Sequence, residues 1–113
     1  MKTEIFNYNN INYTIIIGKN KEENWLIIDE SCKTDIWFHI SGSPSCHVIL
    51  KNESNLRDIP RQVIKRCAYL CKINSTKAKI LANCEVIYAL INDIEKTNIV
   101  GQVNVHKSKS VGV

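Results

Sequence analysis

The sequence predicts an α+β fold: a single domain over residues 1–113, with a largely antiparallel β-sheet and one main amphipathic helix. Three observations carry that prediction. Short β-like runs occupy both ends of the chain, one central stretch has helical periodicity, and the connections between runs are mostly short. No internal repeat and no Pro/Gly/Ser-rich linker divides the chain.

The elements follow in order. Glu4–Tyr8 and Asn12–Ile17 are apolar-rich runs around Asn9-Asn10, a pair that tolerates left-handed turn geometry, and they predict a β-hairpin ending at Gly18. Asn20–Ile28 reads either as a short helix or as an irregular loop. Asp35–Ile40 and Cys46–Lys51 flank a five-residue connection, Ser41 to Ser45, of hairpin length. Pairing them around that turn sets Ile40 opposite Cys46 and His39 opposite His47. Trp37, His39, His47 and Ile49 then share one face, while Ile36, Phe38, Ile40, Val48 and Leu50 point to the core.

The helix is predicted over Pro60–Asn74, capped by Asp58 and with Pro60 in its first turn. Val63, Ile64, Cys67, Ala68 and Cys71 form its apolar stripe, and Arg61, Lys65, Arg66, Tyr69 and Lys72 lie mostly on the opposite side. That basic face is either simply solvated or a polyanion surface; the tyrosine among the cations tilts it towards the second. Glu85–Ile91 and Val100–His106 read as further strands, and Lys107 to Ser110 as a basic turn before a last short run.

Composition narrows the function classes. The chain is 44% hydrophobic and 23% charged, a globular balance. No apolar run approaches the roughly 18 residues of a bilayer span, and the start, MKTEIFNYNN, has no apolar signal core, so a cytoplasmic protein is expected. The five cysteines are odd in number and read as reduced thiols, with Cys67 and Cys71 on one helix face as small core residues. Charge is uneven. Residues 1–56 carry five Lys/Arg against seven Asp/Glu, and residues 57–113 carry ten against four. An excess of that kind attracts polyanions.

Enzymatic signals are weak, and the expectation is a binding module, not an enzyme. No phosphate-cradling glycine loop, dinucleotide fingerprint or nucleophile elbow is present. Cys46 and His47 are sequence neighbours, which point to opposite faces of a strand. His39 and His47 supply two of the three ligands that a catalytic zinc site needs, so no metal and no cofactor are expected. The two histidines read either as hydrogen-bonded structural groups or as the lining of a polar binding surface beside Trp37.

A family resemblance rests on an ordered set of motifs. It comprises Gly18-Lys19-Asn20 with Asn24, Asp35 to His39 (DIWFH), Pro44 to Leu50 (PSCHVIL), Ile59-Pro60, Asn74-Ser75, Val86-Ile87-Tyr88, Lys96 and Gly101-Gln102-Val103. In order and spacing, this set resembles the NFACT-R domain across nearly the whole chain. It is closer to the short stand-alone members, without their charged helical tail, than to the fused ones. Cys46 departs from the pattern, standing where many members have a small residue.

The resemblance implies nucleic-acid binding, most directly to RNA, since larger members engage tRNA and stalled large ribosomal subunits. It assigns Asn24, Trp37, His39, Ser45 and His47 to the motif cluster, with Ser75, Lys96 and Lys107 as neighbours. Independently, Lys19, Lys21, Arg61, Lys65, Lys72, Lys77, Lys79, Lys107 and Lys109 supply cations for phosphates. The partners expected are therefore tRNA or rRNA, with DNA as a further polyanion. Docking on a ribosomal or quality-control protein is the alternative. Planar Trp37, His39 and His47 rings are suited to stacking on unpaired bases.

Overall fold

The computed structural model describes residues 1–113. Its elements in chain order are β1 (Lys2–Tyr8), β2 (Ile11–Gly18), α1 (Lys21–Asp29), β3 (Ile36–Ile40), β4 (His47–Leu50), α2 (Arg61–Ile73), β5 (Glu85–Leu90), β6 (Ile94–Lys96), β7 (Val103–Val105) and β8 (Lys109–Gly112). Six strands form one sheet in the order β1-β2-β4-β3-β5-β8, and every pairing in it is antiparallel. The predicted α+β class with a largely antiparallel sheet is the class observed.

The first hairpin forms because its two turn residues accept the left-handed region. Asn9 has φ 51° and Asn10 has φ 64°, the combination whose twist matches that of the flanking strands. Tyr8 therefore pairs with Ile11, and the register runs back to Lys2 opposite Ile17. In the centre, Phe38 pairs with Val48 and Trp37 with Ile49, the register expected from the Ser41–Ser45 turn. Both central strands are covered on both faces, which is why they read as nearly continuous apolar runs.

Helix α2 covers one face. Its Val63, Cys67, Ala68, Leu70 and Cys71 pack on Ile15, Ile17, Ile36, Phe38, Val48, Leu50 and Val86 in the main core. The outward Arg66 forks onto both carboxylate oxygens of Glu4, each at 2.8 Å, and ties the helix to edge strand β1. The opposite face is covered by α1 and by the small β6–β7 sheet. Ile27 and Ile28 meet Trp37, Ile49 and Ala89 there, with Val103 and Val105 alongside.

Four local expectations change. Residues 20–28 resolve to helix, since the Asn20 side chain caps the Glu23 N–H at 2.8 Å while the Glu23 carboxylate reaches back to the Lys19 N–H at 2.9 Å. Asp58 does not cap α2: it lies in a 3₁₀ turn, Leu56–Asp58, and the extended Ile59-Pro60 separates it from the helix start. Residues 100–106 are not one strand, because Gly101 turns the chain at φ +85° and only Val103–Val105 pairs, with β6. Lys107 to Ser110 is not simply a turn; Lys109 and Ser110 begin β8, where Lys109 pairs with Tyr88. A lysine on an edge strand is a common guard against further pairing. Cys67 and Cys71 are buried as expected, Cys46 is buried with them, and Cys32 is exposed.

One clip holds the β6–β7 sheet against α1. The Trp25 indole N–H donates to the Gln102 carbonyl at 3.1 Å, and the Lys96 ammonium sits 5.0 Å from the Trp25 ring centroid while pairing with Asp29. Gly101 makes the close approach feasible, because a Cβ there would lie 2.6 Å from the Cβ of Lys21. Gly101→Ala combines that overlap with a strained φ and is expected to destabilise the domain by about 1–3 kcal/mol. Thermal denaturation should show Tm lower by about 5 °C or more; an unchanged Tm would mean that the β6–β7 sheet is free to move off α1.

Candidate nucleic-acid interface

The site is built where strand pairing stops and side chains take over the backbone. At the β3–β4 connection three N–H groups find side-chain oxygens. Ser45 Oγ accepts from the Ile40 N–H at 3.1 Å, Ser75 Oγ accepts from the Cys46 N–H at 3.1 Å, and Asn24 Oδ1 accepts from the His47 N–H at 3.1 Å. The Ser75 hydroxyl in turn donates to the Cys71 carbonyl at 2.6 Å, joining the turn to the end of α2. Asn24 reaches the strand only because residue 18 is glycine; a Cβ at Gly18 would stand 2.5 Å from Asn24 Oδ1.

The two predicted histidines meet as the register requires. Their ring centroids are 5.1 Å apart at an interplanar angle of 80°. Trp37 lies under both, stacked on His39 at 5.4 Å and 13°, and edge-on to His47. Its indole N–H donates to His47 Nδ1 at 3.1 Å. An indole nitrogen only donates, so His47 Nδ1 carries no proton and the neutral ring carries its proton on Nε2. His39 is the mirror case. Its Nδ1 is 2.6 Å from the Ile40 carbonyl, which only accepts, so the proton sits on Nδ1 and Nε2 holds a lone pair.

Burial keeps both rings neutral. It lowers the His39 pKa against the opposing pull of the Ile40 carbonyl, and it drives His47 down to about 3, helped by repulsion from a protonated His39.

Around this floor lies a cleft of about 730 Å³. Its walls are Lys19–Lys21, the Gly42–Ser45 turn, the chain after α2 from Asn74 to Lys77, and Val100–Val103 with Val105. Lys19, Lys21 and Lys77 stand at these walls, and no aspartate or glutamate lines the cleft. None of the three ammonium groups is in an ion pair. No three His, Cys, Asp or Glu side chains come together in a group that could hold a metal ion.

The structure sorts the residues singled out in the sequence. Lys19, Asn24, Trp37, His39, Ser45, His47 and Ser75 all line the cleft. Within it, Trp37 is 1% exposed and is already covered by His39, so it supports the imidazoles and offers no ring to a base. Ser75 likewise is spent on holding the β3–β4 turn.

The remaining cations lie elsewhere. Arg61 and Lys65 are exposed on the outer side of α2, and Lys79 is exposed in the 3₁₀ turn Ala78–Ile80. Lys72 donates to the carbonyls of Ala82 and Val113, and Lys96 belongs to the Trp25 clip. Lys107 and Lys109 line a separate smaller cleft of about 300 Å³ beside Tyr88 and Leu90. Gln102, Gly101 and Val103 are cleft residues that the charge pattern did not mark. Only the Gly101-Gln102-Val103 motif signalled them.

Two predictions follow from the buried floor. His47 is protonated readily in the unfolded chain, near its ordinary value of 6.5, but not in the fold until about pH 3. The unfolded state therefore binds more protons in that window, and stability falls as pH drops, by about 1.4 kcal/mol per unit below 6.5. Chemical denaturation at pH 7.5 and pH 5 should show a loss of about 2 kcal/mol that shrinks markedly in His47→Gln; equal losses in the two proteins would remove His47 as the cause. Asn24→Ala leaves the His47 N–H buried without a partner and is expected to lower stability by about 1–3 kcal/mol, read by the same denaturation curves at pH 7.5.

Comparison with known proteins shows the family. The family model described as NFACT protein RNA binding domain matches residues 2–107. Coiled-coil domain-containing protein 25 of Mus musculus is 37% identical over 109 residues, covering 93% of this chain and 52% of the mouse protein. The Rqc2 homolog RqcH of Bacillus subtilis is 30% identical over 86 residues, 75% of this chain and 14% of that protein. This chain thus spans about half the length of the coiled-coil domain-containing relative. In three dimensions, the C-terminal region of the fibronectin/fibrinogen-binding protein from Streptococcus suis superposes with a TM-score of 0.84 over 100% of this chain and 45% of that one, at 23% identity, and shares the fold. On the match over residues 2–107, the chain belongs to the NFACT protein RNA-binding domain family.

Proposed function

We propose that this chain is a non-enzymatic RNA-binding module, with tRNA or ribosomal RNA as its partner in cytoplasmic translation quality control, and that the cleft over His39 and His47 is the binding site. The observation that carries the reading is the cleft's charge: three unpaired lysines and no carboxylate, in a chain that has 11 Asp and Glu residues. Such a lining concentrates positive potential where a phosphate backbone would pass. The description of the matched family and the name of the Bacillus subtilis relative support the choice of RNA and of quality control.

A binding role also suits the chemistry of the floor. The Cys46 thiol donates to the Cys71 carbonyl at 3.4 Å on the α2 side of the sheet, while the neighbouring His47 faces the other way with Nδ1 already engaged. No base is therefore set against that thiol.

Fluorescence anisotropy with labelled tRNA, single-stranded RNA and double-stranded DNA at several salt concentrations tests the proposal. Binding should weaken steeply with salt and be tighter for the RNAs than for DNA. Lys19→Glu with Lys77→Glu should lower affinity at least about tenfold and flatten the salt slope for single-stranded RNA by about 1.4. Arg61→Glu with Lys65→Glu, on the outer face of α2, should leave both nearly unchanged. Equal loss in the two double variants would mean a diffuse polyanion surface, and no RNA binding at low salt would leave docking on a protein as the function.

A further inference from the structure

The floor of the cleft carries polar atoms that the fold itself does not use. His47 is 2% exposed and Asn24 is 6% exposed. His47 spends Nδ1 on Trp37, and Asn24 spends Oδ1 on the His47 N–H. Their remaining atoms, His47 Nε2 and Asn24 Nδ2, meet no protein partner. Every fully enclosed side-chain nitrogen or oxygen in the protein has one, so these two atoms open onto the cleft. His39 Nε2 is unpartnered in the same way.

These atoms have fixed and opposite roles. The Trp37 bond leaves His47 Nε2–H as a donor, the Ile40 carbonyl leaves His39 Nε2 as an acceptor, and the Asn24 amide adds a second donor. A phosphodiester matches the donors but has no proton for His39 Nε2. A duplex presents its Watson–Crick edges to its own partner strand. An unpaired nucleobase carries an acceptor and a donor side by side on that edge, which complements two rings 5.1 Å apart.

We propose that the cleft floor binds the Watson–Crick edge of one unpaired nucleobase, with His47 Nε2–H and Asn24 Nδ2–H donating to it and His39 Nε2 accepting from it. The proposal rests on the reading of the cleft as an RNA site and adds its substrate class: single-stranded RNA held by a base as well as by its phosphates. Every common base has an acceptor beside a donor on that edge, but only uracil and cytosine have the two acceptors and one donor that complete the set, so the site selects unpaired over paired RNA and favours pyrimidines. The lysines at the rim then serve the flanking phosphates.

The test uses the intact chain and three probes at one salt concentration: a short oligouridylate, an abasic oligomer of equal length, and a fully paired RNA duplex. Loss of the bases should weaken binding about tenfold, and the duplex should bind no better than the abasic strand. Histidine side-chain ¹H–¹⁵N correlation should show the free protein with the proton on Nε2 of His47 and on Nδ1 of His39, and both rings should shift on adding oligouridylate. Equal affinity for the abasic strand with unmoved histidine signals overturns the base site while leaving RNA binding intact. So does a duplex that binds as tightly as oligouridylate and moves the same signals. The opposite tautomers in the free protein also overturn it, and failure of all three probes to bind overturns the RNA reading itself.

Discussion

The hydrogen bond from the Trp37 indole to His47 Nδ1 couples the interior of this domain to its surface. Trp37 is almost completely enclosed, on a strand covered on both faces, and its N–H would be unsatisfied without the imidazole. His47 is as deeply buried, and its own N–H would be orphaned without Asn24. Asn24 in turn reaches the strand only over the bare backbone of Gly18. The chain of dependence runs from a glycine at the end of β2, through a buried amide on α1, to a histidine on β4 and a tryptophan on β3. Replacing any member leaves a polar group enclosed without a partner, which in a low-dielectric interior is more damaging than the loss of one ordinary contact.

The position of the cleft follows from how the sheet is covered. Helix α2 shields one face along its length, whereas α1 and the β6–β7 sheet share the other. Between them the end of the β3–β4 hairpin stays open, and the two imidazoles close the gap in the apolar surface. A ring that must be neutral to be buried, yet leaves one nitrogen free, suits that boundary. Phenylalanine there would seal the floor, and lysine would not tolerate the burial.

Charge is divided between structure and surface in a way the sequence count conceals. The second half of the chain holds ten of the fifteen Lys and Arg residues. Yet Arg66 is bound to Glu4, Lys72 to two carbonyls near the C-terminus, and Lys96 to Asp29 above the Trp25 ring. Two of the three cleft lysines come from the acidic first half, because Lys19–Lys21 and the chain after α2 line the same cleft. Net charge by segment says where cations are made. Only packing says which remain free.

What the sequence determined by itself is the set of features whose physical cause is local. Period-two alternation with a five-residue turn placed His39 opposite His47, the helical stripe identified α2, and Asn9-Asn10 marked the first hairpin. The ordered motifs pointed to the family. Tertiary structure decided the rest. Asn24 breaks the apolar pattern of α1, so that helix was ambiguous until its polar residue met a backbone N–H from another strand. Trp37 reads as a stacking surface until His39 covers it, and Lys107 and Lys109 read as site cations until the fold places them at a different cleft. Periodicity and turn chemistry act within a few residues, and sequence reports them directly. Burial, tautomer and the freedom of a charge depend on contacts between residues far apart in the chain, and they exist only once the layers close.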